Sequence, residues 1–149
     1  MIHIEESIII NRPIEEVFAF TSETKNLPLW QTDVVEARHA PEGPVQLGSK
    51  MTMVRAFMGR KMEGTSDIVE YAPPTRYAYK TTSGPEVTGV NTCEAIAEGT
   101  KFTTRFDMQT GGLFSLADPL VARTIKRSVE SGLATLKDLL ESRAGVASS

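Results

Sequence analysis

Cysteine and histidine are scarce in this chain of 149 residues, which has one cysteine, Cys93, and two histidines, His3 and His39. One cysteine excludes an internal disulfide framework and a cysteine-rich zinc site, because both need several thiols. The two histidines lie on separate predicted strands without metal-ligand spacing or a neighbouring nucleophile, so we expect both at the surface. The chain also lacks a glycine-rich phosphate loop and a paired-carboxylate pattern. We therefore expect no metal and no cofactor.

Strong charge of one sign and long apolar runs are missing as well. The net charge of −3 gives no electrostatic reason to expect a nucleic acid or an anionic membrane as partner. No stretch approaches the length of a transmembrane helix. The first ten residues carry acidic side chains where a signal peptide has basic ones. We expect a cytoplasmic protein without stable membrane insertion.

What is present is a series of strand-like segments separated by turn signals. Residues 2–10 are β-branched and partly alternating, which predicts a strand. Pro13 followed by acidic residues predicts a short helix, and a second short helix or turn over about 22–27 is expected to end at Pro28. Six further strands are predicted, at 33–40, 48–58, 61–71, 76–82, 86–97 and 100–110. No helical pattern separates these six strands, so an antiparallel meander is the natural arrangement.

A long amphipathic helix is predicted at the end of the chain. Gly111-Gly112 ends the sheet, and Asp118-Pro119 begins a helix that runs to about 142. Its apolar stripe faces the sheet and consists of Leu120, Val121, Ile125, Val129, Leu133, Leu136 and Leu140. The pattern predicts one α+β domain over 1–143 with a short tail at 144–149. The domain has a curved seven-stranded antiparallel sheet, two short helices and a long C-terminal helix.

Several of these segments carry a family resemblance. They are the stretch Ile8-Ile9-Ile10-Asn11-Arg12-Pro13-Ile14-Glu15-Glu16-Val17-Phe18, Trp30, Gly48-Ser49-Lys50, Tyr71-Ala72-Pro73-Pro74-Thr75-Arg76-Tyr77, Glu98-Gly99-Thr100-Lys101 and the final helix. Together they resemble the START-like (SRPBCC) superfamily, specifically its polyketide cyclase/dehydrase branch, over essentially the whole chain. The resemblance implies the helix-grip (Bet v 1/START-like) fold, with a deep cavity between sheet and last helix. That superfamily includes lipid and hormone carriers and aromatic cyclases, so the resemblance implies a fold more specifically than an activity.

Strand alternation selects candidate residues for the wall of this cavity. Phe102, Thr104, Phe106 and Met108 share one face of their strand. Met51, Met53, Arg55 and Phe57 share a side of another, and Tyr77 and Tyr79 share a side of a third. Methionine adapts to irregular space, so this composition suits binding of varied apolar ligands, although plain core packing explains each residue equally well.

Arg55 and the small residues of the last helix each have two interpretations. A buried arginine needs a partner, which is either Glu63 or Asp67 on the neighbouring strand or a carboxylate or carbonyl group of the ligand. Alternatively, the register places Arg55 in solvent. Ser128 and Gly132 either leave room for a ligand or permit close contact between helix and sheet. Residues 113–117, which include Phe114, are either a movable lid or the first packed turn of the helix.

Other polar residues favour structural roles. Cys93 is expected to be a small buried strand residue, because nothing marks a lowered thiol pKa. Arg105 and Asp107 lie two apart on one strand face, which predicts a surface ion pair between them.

The function that these features favour is binding of a small hydrophobic molecule of lipid, aromatic polyketide or isoprenoid type. The alternative is a polyketide cyclase, aromatase or dehydratase that uses Arg55, Tyr79 or Asn91, though no residue is assigned as catalytic. Monomer and homodimer both remain open. The predicted ligand-binding residues are Trp30, Met53, Arg55, Phe57, Tyr79, Asn91, Phe106, Met108, Phe114, Leu120, Ser128 and Gly132.

Overall fold

The computed structural model describes the backbone of residues 1–57, 59–109 and 118–147, with side chains except at 57, 118 and 144–147. Three helices, a 3-10 turn (Thr24–Asn26) and seven strands follow one another along this part of the chain. In chain order the helices and strands are β1 (Ile2–Ile10), α1 (Ile14–Ser22), α2 (Leu27–Trp30), β2 (Val34–Ala40), β3 (Lys50–Phe57), β4 (Arg60–Ala72), β5 (Arg76–Ser83), β6 (Val87–Ile96), β7 (Gly99–Met108) and α3 (Asp118–Ala147).

The seven strands form one antiparallel sheet in the order β1-β7-β6-β5-β4-β3-β2. The predicted meander is confirmed for β2 to β7, and β1 pairs with the last strand, with Ile8 opposite Phe102. The register of β4 against β5 shifts between Ile68 and Glu70. Such a bulge bends the strand and increases its twist, which helps the sheet to curve. The chain has the helix-grip fold, with α3 held by the curved sheet.

The C-terminal half of α3 is fixed to the core and to the end of β1. Leu136 and Leu140 are fully buried in the main core cluster, which also includes Ile10 and Phe102. At the surface, Lys137 donates a hydrogen bond from Nζ to the Ile9 carbonyl oxygen at 2.8 Å. Burial of a leucine side chain is worth about 1.5–3 kcal/mol, so the buried stripe rather than this surface bond anchors the helix.

Three boundaries differ from the sequence predictions. Pro28 lies in the first turn of α2 instead of ending a helix, because a first-turn residue needs no N–H for helical hydrogen bonding. Helix α3 continues to Ala147, so the predicted division at 143 falls within it. Leu120 is 60% exposed while Val121 is buried, since neighbouring helix residues point about 100° apart. The buried stripe therefore begins at Val121.

Candidate functional site

The concave face of the sheet and α3 enclose a cavity of about 350 Å³. This volume is at the lower end of the range for small-molecule sites, roughly 300–1,000 Å³. The wall comes from α2 and the residues after it, from strands β3 to β7, and from α3. The lining residues are Leu27, Trp30, Gln31, Asp33, Met51, Met53, Arg55, Ala56, Met62, Gly64, Ser66, Tyr77, Tyr79, Thr81, Pro85, Val87, Asn91, Thr104, Phe106, Met108, Val121, Thr124, Ile125, Ser128, Val129 and Gly132.

Most predicted site residues lie on this wall. Trp30, Met53, Arg55, Tyr79, Asn91, Phe106, Met108, Ser128 and Gly132 line the cavity. Leu120 is exposed and does not line it, because it projects from α3 on the solvent side of Val121. The Phe57 side chain, Phe114 and the proposed lid at 113–117 lie outside the described residues.

Two tyrosines lie side by side on the cavity wall. The Tyr77 and Tyr79 rings are neighbours on β5, with centroids 6.2 Å apart. The Tyr77 hydroxyl donates to Met51 Sδ at 3.4 Å. Burial raises the pKa of both phenols, and the positive charge of Arg55 opposes this rise for Tyr79. Both hydroxyls therefore stay protonated at neutral pH, and because Tyr77 already donates to Met51, the Tyr79 hydroxyl is the one of the two that can donate to a ligand.

Gly89 determines where the Tyr79 ring lies. The two residues are directly opposite each other on β5 and β6. A Cβ atom built on Gly89 would overlap Cζ of Tyr79, so the ring occupies the space of the missing side chain. Sequence reasoning missed this residue. The available signal was a glycine inside a strand, which often marks a close approach by another group.

Arg55 is bound by the residues that follow α2. Its Nη1 donates to Asp33 Oδ2 at 2.9 Å and its Nη2 donates to Gln31 Oε1 at 2.8 Å. The arginine side chain is 33% exposed and the aspartate 26%, so the pair lies at the boundary between cavity and solvent. The structure therefore places Arg55 on the cavity wall rather than in open solvent.

The predicted partners of Arg55 were wrong. The strand register places Glu63 opposite Val54 and Asp67 opposite Lys50, so neither acid faces Arg55. Glu63 instead contacts Arg38 at 3.1 Å, and Asp67 contacts Lys50 at 2.8 Å. A contact with residues from the α2 connection depends on how that segment packs, which strand alternation does not specify.

Two residues of the wall each have one polar side-chain atom that is buried away from the cavity surface and has no hydrogen-bond partner among the described residues. The two atoms are Nε1 of Trp30 and Oδ1 of Asn91. Trp30 is only 4% exposed, and its ring meets Phe102 edge-on at 5.8 Å between centroids. Most buried polar atoms in proteins are hydrogen-bonded, so this pair is unusual.

Gly132 serves a close contact between helices. A Cβ atom there would lie 2.8 Å from the Trp30 carbonyl oxygen. Gly132 therefore permits a close contact, but with α2 and not with the sheet as predicted. Gly132 also lines the cavity, so this contact fixes the position of Trp30 against the cavity wall.

Outside the cavity, the remaining polar candidates have structural positions. Cys93 is buried, and desolvation raises the pKa of its thiol to about 12, so it is a poor nucleophile. Arg105 pairs across the strands with Glu5 at 3.8 Å, and Asp107 contacts His3, which corrects the predicted pair between Arg105 and Asp107. Directly opposite residues on neighbouring strands are closer than residues two apart on one strand.

The described part of the chain contains no group of three or more histidine, cysteine, aspartate or glutamate side chains able to hold a metal ion. None of its helices combines the length and apolar character needed to cross a membrane.

Comparisons with known proteins give a family and a fold. Residues 1–141 match the family model described as polyketide cyclase/dehydrase and lipid transport. No curated protein matches the chain significantly.

Solved structures share the fold at low sequence identity. The protein TTHA0849 from Thermus thermophilus is 20% identical with a TM-score of 0.81, covering 99% of each chain. A START superfamily protein from Mycobacterium smegmatis is 11% identical with a TM-score of 0.78, covering 95% of this chain and 99% of that one. The di-domain ARO/CYC StfQ from the steffimycin biosynthetic pathway is 18% identical with a TM-score of 0.77. The match covers 97% of this chain and 52% of StfQ.

Proposed function

The chain belongs to the polyketide cyclase/dehydrase and lipid transport family, and on this premise we propose that it binds a small hydrophobic ligand between the sheet and α3. The observation that carries the proposal is the cavity of about 350 Å³, whose wall is mainly methionine, aromatic and aliphatic side chains. Removing apolar ligand surface from water supplies the affinity, at about 25 cal/mol per Å² buried.

The size of the cavity restricts the class of ligand. A volume of about 350 Å³ suits a compact polycyclic aromatic compound, an isoprenoid or a single-chain lipid better than a phospholipid with two long chains. The methionines Met51, Met53 and Met108 favour tolerance of ligand shape, because their side chains adapt to irregular surfaces.

Trp30 provides the measurement, because it is the only tryptophan of the chain and lines the cavity. We expect titration with a neutral apolar probe, N-phenyl-1-naphthylamine, to quench Trp30 emission and raise probe fluorescence in a saturable way. Ser128 lines the cavity, whereas Ser131 on the same helix is exposed. Ser128→Phe should weaken probe binding at least about tenfold by filling the cavity, and Ser131→Phe should leave it unchanged.

Two results would contradict the binding proposal. One is a folded protein that binds no apolar probe and retains no small molecule in native mass spectrometry. The other is equal loss of binding in both serine variants, which would place the probe outside the cavity.

A second candidate function is a cyclase, aromatase or dehydratase acting in the same cavity. It is favoured by the protonated Tyr79 hydroxyl, which lies on a wall that also carries Arg55 and Asn91. Such an enzyme would fold a flexible chain against the wall and use the protonated Tyr79 hydroxyl as a hydrogen-bond donor to a carbonyl or enolate oxygen of that chain. With a poly-β-ketone thioester mimic, Tyr79→Phe should abolish turnover while probe binding remains. Unchanged turnover in that variant would exclude this role for Tyr79.

The cytoplasmic location, the lack of a nucleic-acid partner and the choice between monomer and homodimer stay predictions from the sequence.

A further inference from the structure

The Tyr79 hydroxyl is a hydrogen-bond donor that a ligand in the cavity can reach. Tyr79 lines the cavity, and its hydroxyl makes no hydrogen bond with another residue of the described part of the chain. Unlike Nε1 of Trp30 and Oδ1 of Asn91, this hydroxyl is not sealed away from the cavity surface. It therefore meets a bound ligand with its O–H group still available.

The other hydroxyl groups of the wall are engaged within the protein or sit on short side chains. Tyr77 donates to Met51 Sδ at 3.4 Å, and Thr124 donates to the Leu120 carbonyl oxygen at 3.0 Å. The serine hydroxyls of the wall remain close to the strand or helix that carries them. Tyr79 instead carries its hydroxyl at the end of a rigid ring, away from the backbone of β5.

Gly89 fixes the position of this donor. A Cβ atom built on Gly89 would overlap both Cζ and the hydroxyl oxygen of Tyr79, so the end of the ring lies directly over the backbone of β6. Phe106 is opposite Gly89 on β7, and the Tyr77 ring is the neighbour on β5. A donor that is held in place before binding loses little conformational freedom when the ligand arrives.

Arg55 brings a positive charge within reach of the same hydroxyl. Its charge opposes the rise in the pKa of the Tyr79 phenol that burial causes. Asp33 and Gln31 hold the guanidinium on the cavity wall at 2.9 Å and 2.8 Å. A ligand oxygen with a partial or full negative charge is therefore favoured beside Tyr79.

Resting on the proposed function, we propose that the cavity selects ligands whose apolar skeleton carries an acceptor oxygen, and that Tyr79 is the residue that determines this selectivity. The oxygen of a ketone, aldehyde or carboxylate group accepts a hydrogen bond from the Tyr79 hydroxyl. The skeleton fills the apolar space lined by Phe106, Met108 and Ile125. A hydrocarbon of the same shape would cover the hydroxyl without giving it a partner, which forfeits the hydrogen bond.

Three probes with one aromatic skeleton test the proposal. They are 2-acetonaphthone, 2-naphthoate and the hydrocarbon 2-isopropenylnaphthalene, in which a methylene group replaces the ketone oxygen. Dissociation constants for the wild type and for Tyr79→Phe are measured by equilibrium dialysis at pH 7.5. One net hydrogen bond corresponds to about a fivefold change in affinity, so Tyr79→Phe should weaken at least one oxygen-bearing probe about fivefold. The hydrocarbon lacks this bond, so its affinity should change by less than about twofold.

Tyr77→Phe is the matched control, because it removes the neighbouring hydroxyl that already donates to Met51. It should leave the ratio of oxygen-probe affinity to hydrocarbon affinity unchanged. The two oxygen probes also identify the form of the ligand oxygen. A larger loss for 2-acetonaphthone in Tyr79→Phe assigns a neutral carbonyl, and a larger loss for 2-naphthoate assigns a carboxylate held in the field of Arg55.

The outcomes separate this inference from the proposed function. If Tyr79→Phe weakens all three compounds equally, or weakens none of them, the assigned hydrogen bond is refuted and the apolar binding function stands. The same conclusion follows if Tyr77→Phe alters the affinity ratio as much as Tyr79→Phe does. If none of the three compounds binds the folded wild type, both proposals fail.

Discussion

Gly132→Ala tests the contact between α3 and α2 that fixes Trp30 against the cavity. The new Cβ atom would lie 2.8 Å from the Trp30 carbonyl oxygen, where ordinary contacts begin at 3.4 Å. The Trp30 carbonyl oxygen belongs to the backbone, so it cannot move aside by a side-chain rotation. The end of α2 is also held by the hydrogen bond from the Gln31 N–H to the Leu27 carbonyl at 2.9 Å.

Two effects of opposite sign compete in this variant. Alanine is favoured over glycine inside a helix by about 1 kcal/mol. Overpacking a rigid contact costs about 1–3 kcal/mol, because helix and turn must move apart. We expect the second effect to win, with a net loss of about 1 kcal/mol in the free energy of unfolding and a fall of roughly 2–4 °C in Tm.

The measurement is urea unfolding followed by far-UV circular dichroism, with Trp30 emission as a second readout. Ser131→Ala is the matched control, since Ser131 is the exposed neighbour on α3 and alanine should be neutral or slightly stabilising there. Gly132→Ala should also change the native emission of Trp30, the only tryptophan. An increase in stability of about 1 kcal/mol with unchanged emission would show that the α2 contact does not constrain position 132.

Three further predictions concern the core, the cavity wall and the buried thiol. Leu136→Ala should lower the free energy of unfolding by about 2–5 kcal/mol, because Leu136 is fully buried. Leu120→Ala, at a position that is 60% exposed, should change it by less than about 0.5 kcal/mol. Similar losses for the two variants in urea unfolding would contradict the assigned buried face of α3. Gly89→Ala should push the Tyr79 ring into the cavity and weaken probe binding. Adding Tyr79→Ala to this variant should restore probe binding. If the effects of the two changes on the binding free energy simply add, the two residues are not coupled in this way. Burial raises the pKa of the Cys93 thiol from 9.0 to about 12, so its contribution to stability is complete below pH 9 and is lost as the pH rises towards 12. Between about pH 8 and pH 10 the wild type should lose about 1.4 kcal/mol more than Cys93→Ala in urea unfolding, and equal losses would refute the shift.

The sequence predicted the elements and their order because each depends on local physics. Alternating apolar residues identified the strands, the turn signals between them identified the meander, and the period of α3 identified its buried stripe. The errors lie at the ends of helices and strands, where a shift of one residue changes a side chain from buried to exposed. Leu120 was assigned to the buried stripe, but the stripe begins one position later.

The same alternation located much of the cavity wall, including Met53, Tyr79 and Phe106. Side chains alternate along a strand, so residues two apart face the same side of the sheet. The side that packs against the long helix is the concave one. Contacts between segments distant in the chain could not be read in this way. Glu63 is nearer to Arg55 in sequence than Asp33 is, yet Asp33 makes the contact.

The strands, the helices, the meander and the apolar faces that meet can thus all be predicted from the amino-acid pattern. Tertiary structure alone decided three features of the site: the pairing of Arg55 with Asp33, the seating of the Tyr79 ring on Gly89, and the burial of Trp30 Nε1 and Asn91 Oδ1 without partners among the described residues. The difference arises from the distance along the chain over which each interaction acts. Periodicity and turn chemistry act within a few residues, whereas hydrogen-bond partners and close contacts depend on distances between segments that only packing of the whole chain fixes.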